Sequence, residues 1–183
     1  MQSCGSVGLL TIIMADKMKK TEYYLNVLHF SFYRFDYKLH LWSNKLNPFH
    51  LIHKLPFQQR RYKELGVDPV KEINKVFGDK SYGFSMMTAG GALIGILFFF
   101  FLASLNILLK LLSGDITLSA VHFILCVVLS VALSYFFVFK KDKYLSYFEQ
   151  FEEWGKADKS KYGWLTFAFV LLVFCLFVLS LKM

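Results

Sequence analysis

The sequence predicts an all-α membrane protein, with three transmembrane helices preceded by a basic, aromatic-rich, amphipathic helical region on the cytosolic side. Composition is the first reason: of 183 residues, 56% are hydrophobic and 19% aromatic against 19% charged, a more apolar balance than a soluble domain carries. The apolar excess is also gathered into three runs after residue 85 that contain no Asp, Glu, Lys or Arg. Finally, 13 of the 21 Lys and Arg residues fall between Lys17 and Lys80, so a basic segment precedes the hydrophobic half. The expected division is a leader over 1–20, a cytosolic helical region over 21–85 and a transmembrane region over 86–183.

The opening "MQSCGSVGLLTIIMADKMKK" has an apolar patch with no positive residue ahead of it, a poor match to a signal peptide. It reads as a disordered leader or a misassigned start, with Met14 and Met18 as alternative first residues. From Leu25 a heptad seam follows: Leu25, Leu28, Phe32, Phe35, Leu39, Trp42 and Leu46 recur at alternating spacings of three and four. A second stripe of Tyr23, Val27, Phe30, Tyr37 and Leu41 flanks it, so the helix must be covered on two sides. Pro48 predicts its end nearby, because the residue before a proline is pushed out of helical geometry. "PFQQRRYKELG" reads as a short helix from Pro56 stopped by Gly66. "VDPVKEINKVFG" reads as another, with Asp68 as cap, Pro69 in the first turn, Val70, Ile73 and Phe77 as apolar face and Gly78 as stop. Arg60, Arg61 and Lys63 form the densest basic cluster, suited to lipid or RNA phosphate, or simply to fixing topology.

The spans are expected over 86–109, 116–139 and 163–181. As a helix the first would be about 36 Å long, enough to cross a bilayer with some tilt. Only "KLLSGD" separates it from the second, which predicts a tight hairpin. Trp164 marks the interfacial end of the third, which is rich in Leu, Phe and Val and expected to face lipid. "KKDKYLSYFEQFEEWGKADKSK" between the last two reads as an amphipathic connector at the inner interface. Placing the N-terminal segment and this connector on one side puts every Lys and Arg there except Lys110 and Lys182. That asymmetry predicts a cytosolic N-terminus and a periplasmic C-terminus.

Polar and small residues in the spans fall into stripes. Thr88, Ala92, Gly95, Phe99, Ala103, Asn106 and Lys110 line one side of the first, where Gly91-xxx-Gly95 permits close backbone approach. Ser119, His122, Cys126, Ser130 and Ser134 line the second. Asn106 and His122 flank the short outer turn and are expected at similar depth, each with a partner within reach. The stripes either face sibling subunits around a water-filled path or glue the hairpin together. Cys126 and Cys175 sit in apolar runs, so no disulfide framework is expected. His50 and His53 lack a third ligand nearby, and no metal or cofactor is expected. Three helices without an internal repeat do not enclose a transport path in one chain.

"YRFDYKLH" holds Arg34 and His40 at the R-x(4–6)-H spacing of HEPN ribonucleases, in which arginine and histidine orient the ribose hydroxyl and the scissile phosphate. On an unbroken helix six residues turn about 600°, which leaves the two side chains about 120° apart. Catalysis there would require a break. The Arg34/His40 pair, with a basic aromatic segment ahead of a small hydrophobic bundle, resembles the small membrane accessory proteins encoded beside the type VI-B RNA-guided effector of CRISPR systems, the Csx family with a divergent HEPN-like motif. That resemblance implies an oligomeric membrane pore that strengthens antiviral defence and a functional link to an RNA-guided effector.

The expected function is therefore a non-enzymatic, homo-oligomeric inner-membrane protein of a bacterium that permeabilises or depolarises the bilayer, without direct nucleic-acid binding. Its partners would be the bilayer and further copies of itself. The alternatives are a membrane-tethered HEPN-like ribonuclease using Arg34 and His40, and a plain anchor or assembly factor.

Overall fold

The computed structural model describes residues 4–46, 55–113 and 119–182, and among them there are helices and turns but no strand. Helix α1 spans Cys4–Leu46, α2 Pro56–Leu65, α3 Pro69–Gly78 and α4 Phe84–Ser113. Helix α5 spans Ala120–Ser134 and runs into a π-helical turn, Tyr135–Phe139, and a 3-10 turn, Lys140–Asp142. Helices α6, Lys143–Glu152, and α7, Lys156–Lys182, complete the chain. Three stretches are long and apolar enough to cross a membrane: Phe84–Leu112, Ala120–Glu152 and Lys156–Lys182. Their apolar cores match the expected spans, but the third helix starts seven residues before 163, since Lys156 to Tyr162 continue the helix into polar sequence.

The chain forms two compact units, one of residues 1–30 with 93–183 and the other of 31–92. This division differs from the compositional one, because packing groups the start of α1 with the apolar helices. Helix α1 begins at Cys4, within the expected leader.

In the first unit, Leu25, Val27 and Phe30 of α1 are buried, as are Tyr144, Phe148 and Phe151 of α6. Phe30 sits 5.1 Å from Phe148 and 5.4 Å from Phe151, ring centre to ring centre, and His29 lies 5.2 Å from Phe148. The apolar face of the expected interfacial connector is thus spent on α1. Edge and tilted ring contacts of this kind add about 0.5–1.5 kcal/mol each to the burial itself. Lys143 reaches Glu22 at 2.6 Å on the rim of this contact. The π-helical turn departs from the usual i to i+4 ladder, and Asn26 Nδ2 donates to a carbonyl within it, Phe137 O, at 3.1 Å. Lys141 and Asp142 both take left-handed backbone angles, φ 60° and 52°, which lets the chain turn from the π segment into α6.

Helices α5 and α7 bury one narrow stripe each, Cys126, Ser130 and Ser134 on the first and Thr166, Val173 and Ser180 on the second, while α4 buries a broader face that includes Leu93, Leu97, Ala103 and Asn106. Only 33%, 22% and 17% of the respective apolar windows is buried within the chain. So much outward Leu, Val and Phe demands a hydrocarbon surrounding.

In the second unit, Tyr33 is buried and donates to Gly78 O at 2.6 Å. A Cβ on Gly78 would come within 2.8 Å of the Tyr37 ring, so this glycine serves close approach as well as ending α3. The side of α3 turned to α1 presents Asn74, Phe77 and Gly78, while Ile73, expected on the apolar face, is 41% exposed. Asp68 caps α3 as expected, accepting from Val70 N and Lys71 N. Asp79 shapes the turn into α4 by accepting from Ser81 N at 2.7 Å and Tyr82 N at 3.0 Å.

Those two bonds hold the Asp79 carboxyl below its ordinary range. A depressed carboxylate contributes stability above its unfolded pKa of about 3.9 and loses it as pH falls through the folded value. Amide exchange at Ser81 and Tyr82, corrected for intrinsic rates, should therefore be slow above about pH 4 and speed up below it. Asp79→Ala should abolish the protection at every pH.

Candidate functional site

Helix α1 is unbroken through Arg34 and His40, so the pair stays about 9 Å apart along the axis and about 120° apart around it. The structure does not bring them together. Arg34 is half-buried, and that burial lowers its pKa from the usual guanidinium value. His40 lies flat on Phe77, rings 3.6 Å apart and 4° from parallel. Its Nε2 is 3.2 Å from Asn74 Oδ1 and 2.9 Å from Asn44 Nδ2. Depending on tautomer, Nε2 donates to Asn74 across to α3, or accepts within α1 from Asn44, whose Nδ2 also donates to Asn74 Oδ1 at 3.0 Å. The arrangement is a helix contact with a polar centre.

The heptad seam divides. Leu25 is buried within the chain and Leu28 and Phe32 are half-buried. Phe35, Leu39, Trp42 and Leu46 are instead 69%, 48%, 61% and 65% exposed. By helix geometry these four lie about 180° from the packed face of Tyr33, Tyr37, His40 and Asn44.

The polar residues of the spans are mostly occupied by helix ends and backbone carbonyls. Asn106 Nδ2 donates to Ser180 O at 2.8 Å and approaches Ser180 Oγ at 3.3 Å. Lys110 Nζ donates to the same carbonyl at 2.8 Å. Ser180 lies in the last turn of α7, where carbonyls have no intrahelical donor, and a cation there also meets the negative end of the helix dipole. The expected partnership of Asn106 with His122 is replaced by this one, because His122 serves its own helix: its Nδ1 accepts from Ser119 N at 3.1 Å and lies 2.8 Å from Ser119 Oγ, a capping box. Ser130 Oγ donates to Cys126 O in its own helix. Gly91 and Gly95 have open space where a Cβ would stand, and Thr88 is exposed, so no other part of the described chain packs on that small-residue face.

Three participants escaped the sequence reading. Ser180 belongs to the helix expected to face lipid, although its spacing of seven from Val173 and fourteen from Thr166 marks the buried stripe. Asn26 and His29, both fully buried, were passed over inside an aromatic run; an i, i+3 polar pair between buried apolar positions is the signal that could have found them. Arg60, Arg61 and Lys63 of α2 are exposed. Among the described residues no group of three His, Cys, Asp or Glu side chains could hold a metal ion, and His50 and His53 lie outside the described residues. Comparison with protein-family models, with curated proteins and with solved structures returns no match to this chain.

Asn106→Leu removes the side-chain donor to α7, and an interhelical hydrogen bond between apolar helices is worth about 0.6–2 kcal/mol. The variant should lose about that much stability in a denaturant titration in detergent. Ser104→Leu, on an exposed hydroxyl that bonds only its own helix at Phe100 O, should change little.

Proposed function

We propose that this chain is a self-associating, multi-pass membrane protein that acts by assembly rather than by catalysis, its oligomer permeabilising or depolarising the bilayer. The observation that carries this reading is the exposed row Phe35, Leu39, Trp42 and Leu46, four large apolar side chains at a/d heptad spacing on the side of α1 away from its packed face. A second copy of the same helix is the partner that this spacing fits, since knobs at a and d need a matching helix to receive them. The distribution of Lys and Arg supports a cytosolic N-terminus, with α1 to α3 inside and the end of α7 outside. The bacterial inner membrane and a role in antiviral defence beside an RNA-guided effector rest on the resemblance in layout.

A ribonuclease reading would need Arg34 and His40 to converge on one phosphate, and no observation favours it. A pure anchor would share the seam but leave vesicles sealed, so permeability separates the two.

Leu39→Glu with Trp42→Glu places charges on the seam without touching a buried side chain. The helix content should be unchanged, while the detergent-solubilised mass should fall from oligomer to monomer, with association weakened at least tenfold. Dye leakage from proteoliposomes should fall with it. A wild-type chain that is monomeric while folded would overturn the assembly reading, and an oligomer that leaves vesicles tight would overturn the permeability one.

A further inference from the structure

Helix α2 poses a stability problem that the described residues leave open. It has ten residues and none of them is buried. An isolated helix shorter than about 12–15 residues is marginal in water, and helices in proteins persist because an apolar face is packed. Its ends are well defined: Pro56 stands in the first turn, and Gly66, at φ 63°, closes the last with Gly66 N donating to Lys63 O and Val67 N to Tyr62 O. Helix α3 has the same length but is tied to α1 through Asn74, Phe77 and Gly78. The described residues thus leave Phe57 and Leu65 of α2 open to a covering surface.

Its surface indicates what. Phe57, Arg61 and Leu65 recur at i, i+4 and i+8 and form one row, with Arg60 alongside. Phe57 is 62% and Leu65 64% exposed, and exposed Leu55 and Val67 extend the apolar surface past both ends. The helix carries Arg60, Arg61 and Lys63 against Glu64 alone. Cations interleaved with large apolar side chains suit the headgroup layer of an anionic bilayer, where guanidinium groups meet lipid phosphate and the apolar side chains enter the acyl boundary. That surface is within reach, because only α3 and two short links separate Leu65 from the first apolar helix at Phe84. A second copy of α2 would bring like charges together, and single-stranded RNA would leave Leu55, Leu65 and Val67 uncovered.

We propose that α2 is a membrane-surface helix that docks on anionic phospholipid, with Phe57 and Leu65 set into the interface and Arg60 and Arg61 on lipid phosphates. Docking covers the exposed row of Phe57 and Leu65, so the order of the helix depends on the lipid composition of the leaflet.

The test uses the full chain at one copy per nanodisc and reads amide exchange over 55–67. Discs of phosphatidylcholine alone are compared with discs of phosphatidylcholine and phosphatidylglycerol at about three to one, an anionic content that attracts juxtamembrane basic segments. Exchange in α2 should slow at least tenfold in the anionic discs, while amides of α4 stay unchanged. High salt should reverse the protection. Arg60→Gln with Arg61→Gln should remove most of it, and Phe57→Ser should reduce it at unchanged charge. Since α2 buries no side chain, these variants do not threaten the fold. Equal exchange in both lipids, or full protection in the double variant, would overturn the proposal. So would protection that appears in phosphatidylcholine discs on adding single-stranded RNA and not with phosphatidylglycerol.

Discussion

The contact on which the first unit depends is the one between the early part of α1 and the segment after the second apolar helix. Asn26 reaches across 111 residues of sequence to Phe137 O, and His29 and Phe30 close over Phe148 and Phe151. The hydrogen bond and the ring contacts need each other. A carbonyl within the π-helical turn would be costly to bury without a donor, and Asn26 is held at that carbonyl because the rings on either side fix α1. The π turn in turn, with the left-handed Lys141 and Asp142, brings α6 onto α1. Without it, the helix beginning at Ala120 would continue straight through its charged end and the face of Tyr144, Phe148 and Phe151 would have no partner.

Five polar groups among the apolar helices follow the same logic of satisfied backbone. Asn106 and Lys110 converge on the Ser180 carbonyl, Ser119 and His122 cap α5, and Ser130 returns to its own helix. Each answers a local need of a helix end or a buried hydroxyl, and none leaves a continuous polar track on the outside of a span. A water-filled path built from this chain would thus have to come from the meeting of several copies. The open face of Thr88, Gly91 and Gly95 stays uncommitted among the described residues.

How much of this was legible in the sequence depended on whether a signal was local. The three apolar runs, the Asp68 cap and the Gly66 stop all follow from the chain's immediate neighbourhood, and the structure places them where expected. Periodicity also located the seam of α1 and the aromatic stripe of α6, but it does not say what covers a face. The stripe of Tyr144, Phe148 and Phe151 has the pattern of an interfacial helix, yet it packs on α1. Leu25 has the pattern of an oligomer seam, yet it is core. Gly78 looked like a helix stop, and its larger service is to let Tyr37 come near. In each case the missing information was the identity of a partner distant in sequence.

Helix α1 shows why such ambiguity was unavoidable. Over residues 33–46 it carries two apolar or aromatic faces about 180° apart, and only the one with Tyr33, Tyr37 and His40 meets α3. The polar residues Arg34, Asp36, Lys38, Ser43 and Lys45 are confined to the two narrow strips between. A helix that needed to pack on one side only would gain by carrying charge on the other, because exposed Phe, Leu and Trp invite aggregation without adding stability. Keeping four large apolar side chains on the outer side therefore has a cost in the isolated chain, and the cost is removed when a surface of matching spacing covers the row. The composition of α1 is that of a helix with two packing duties, one discharged within the chain and one directed outward.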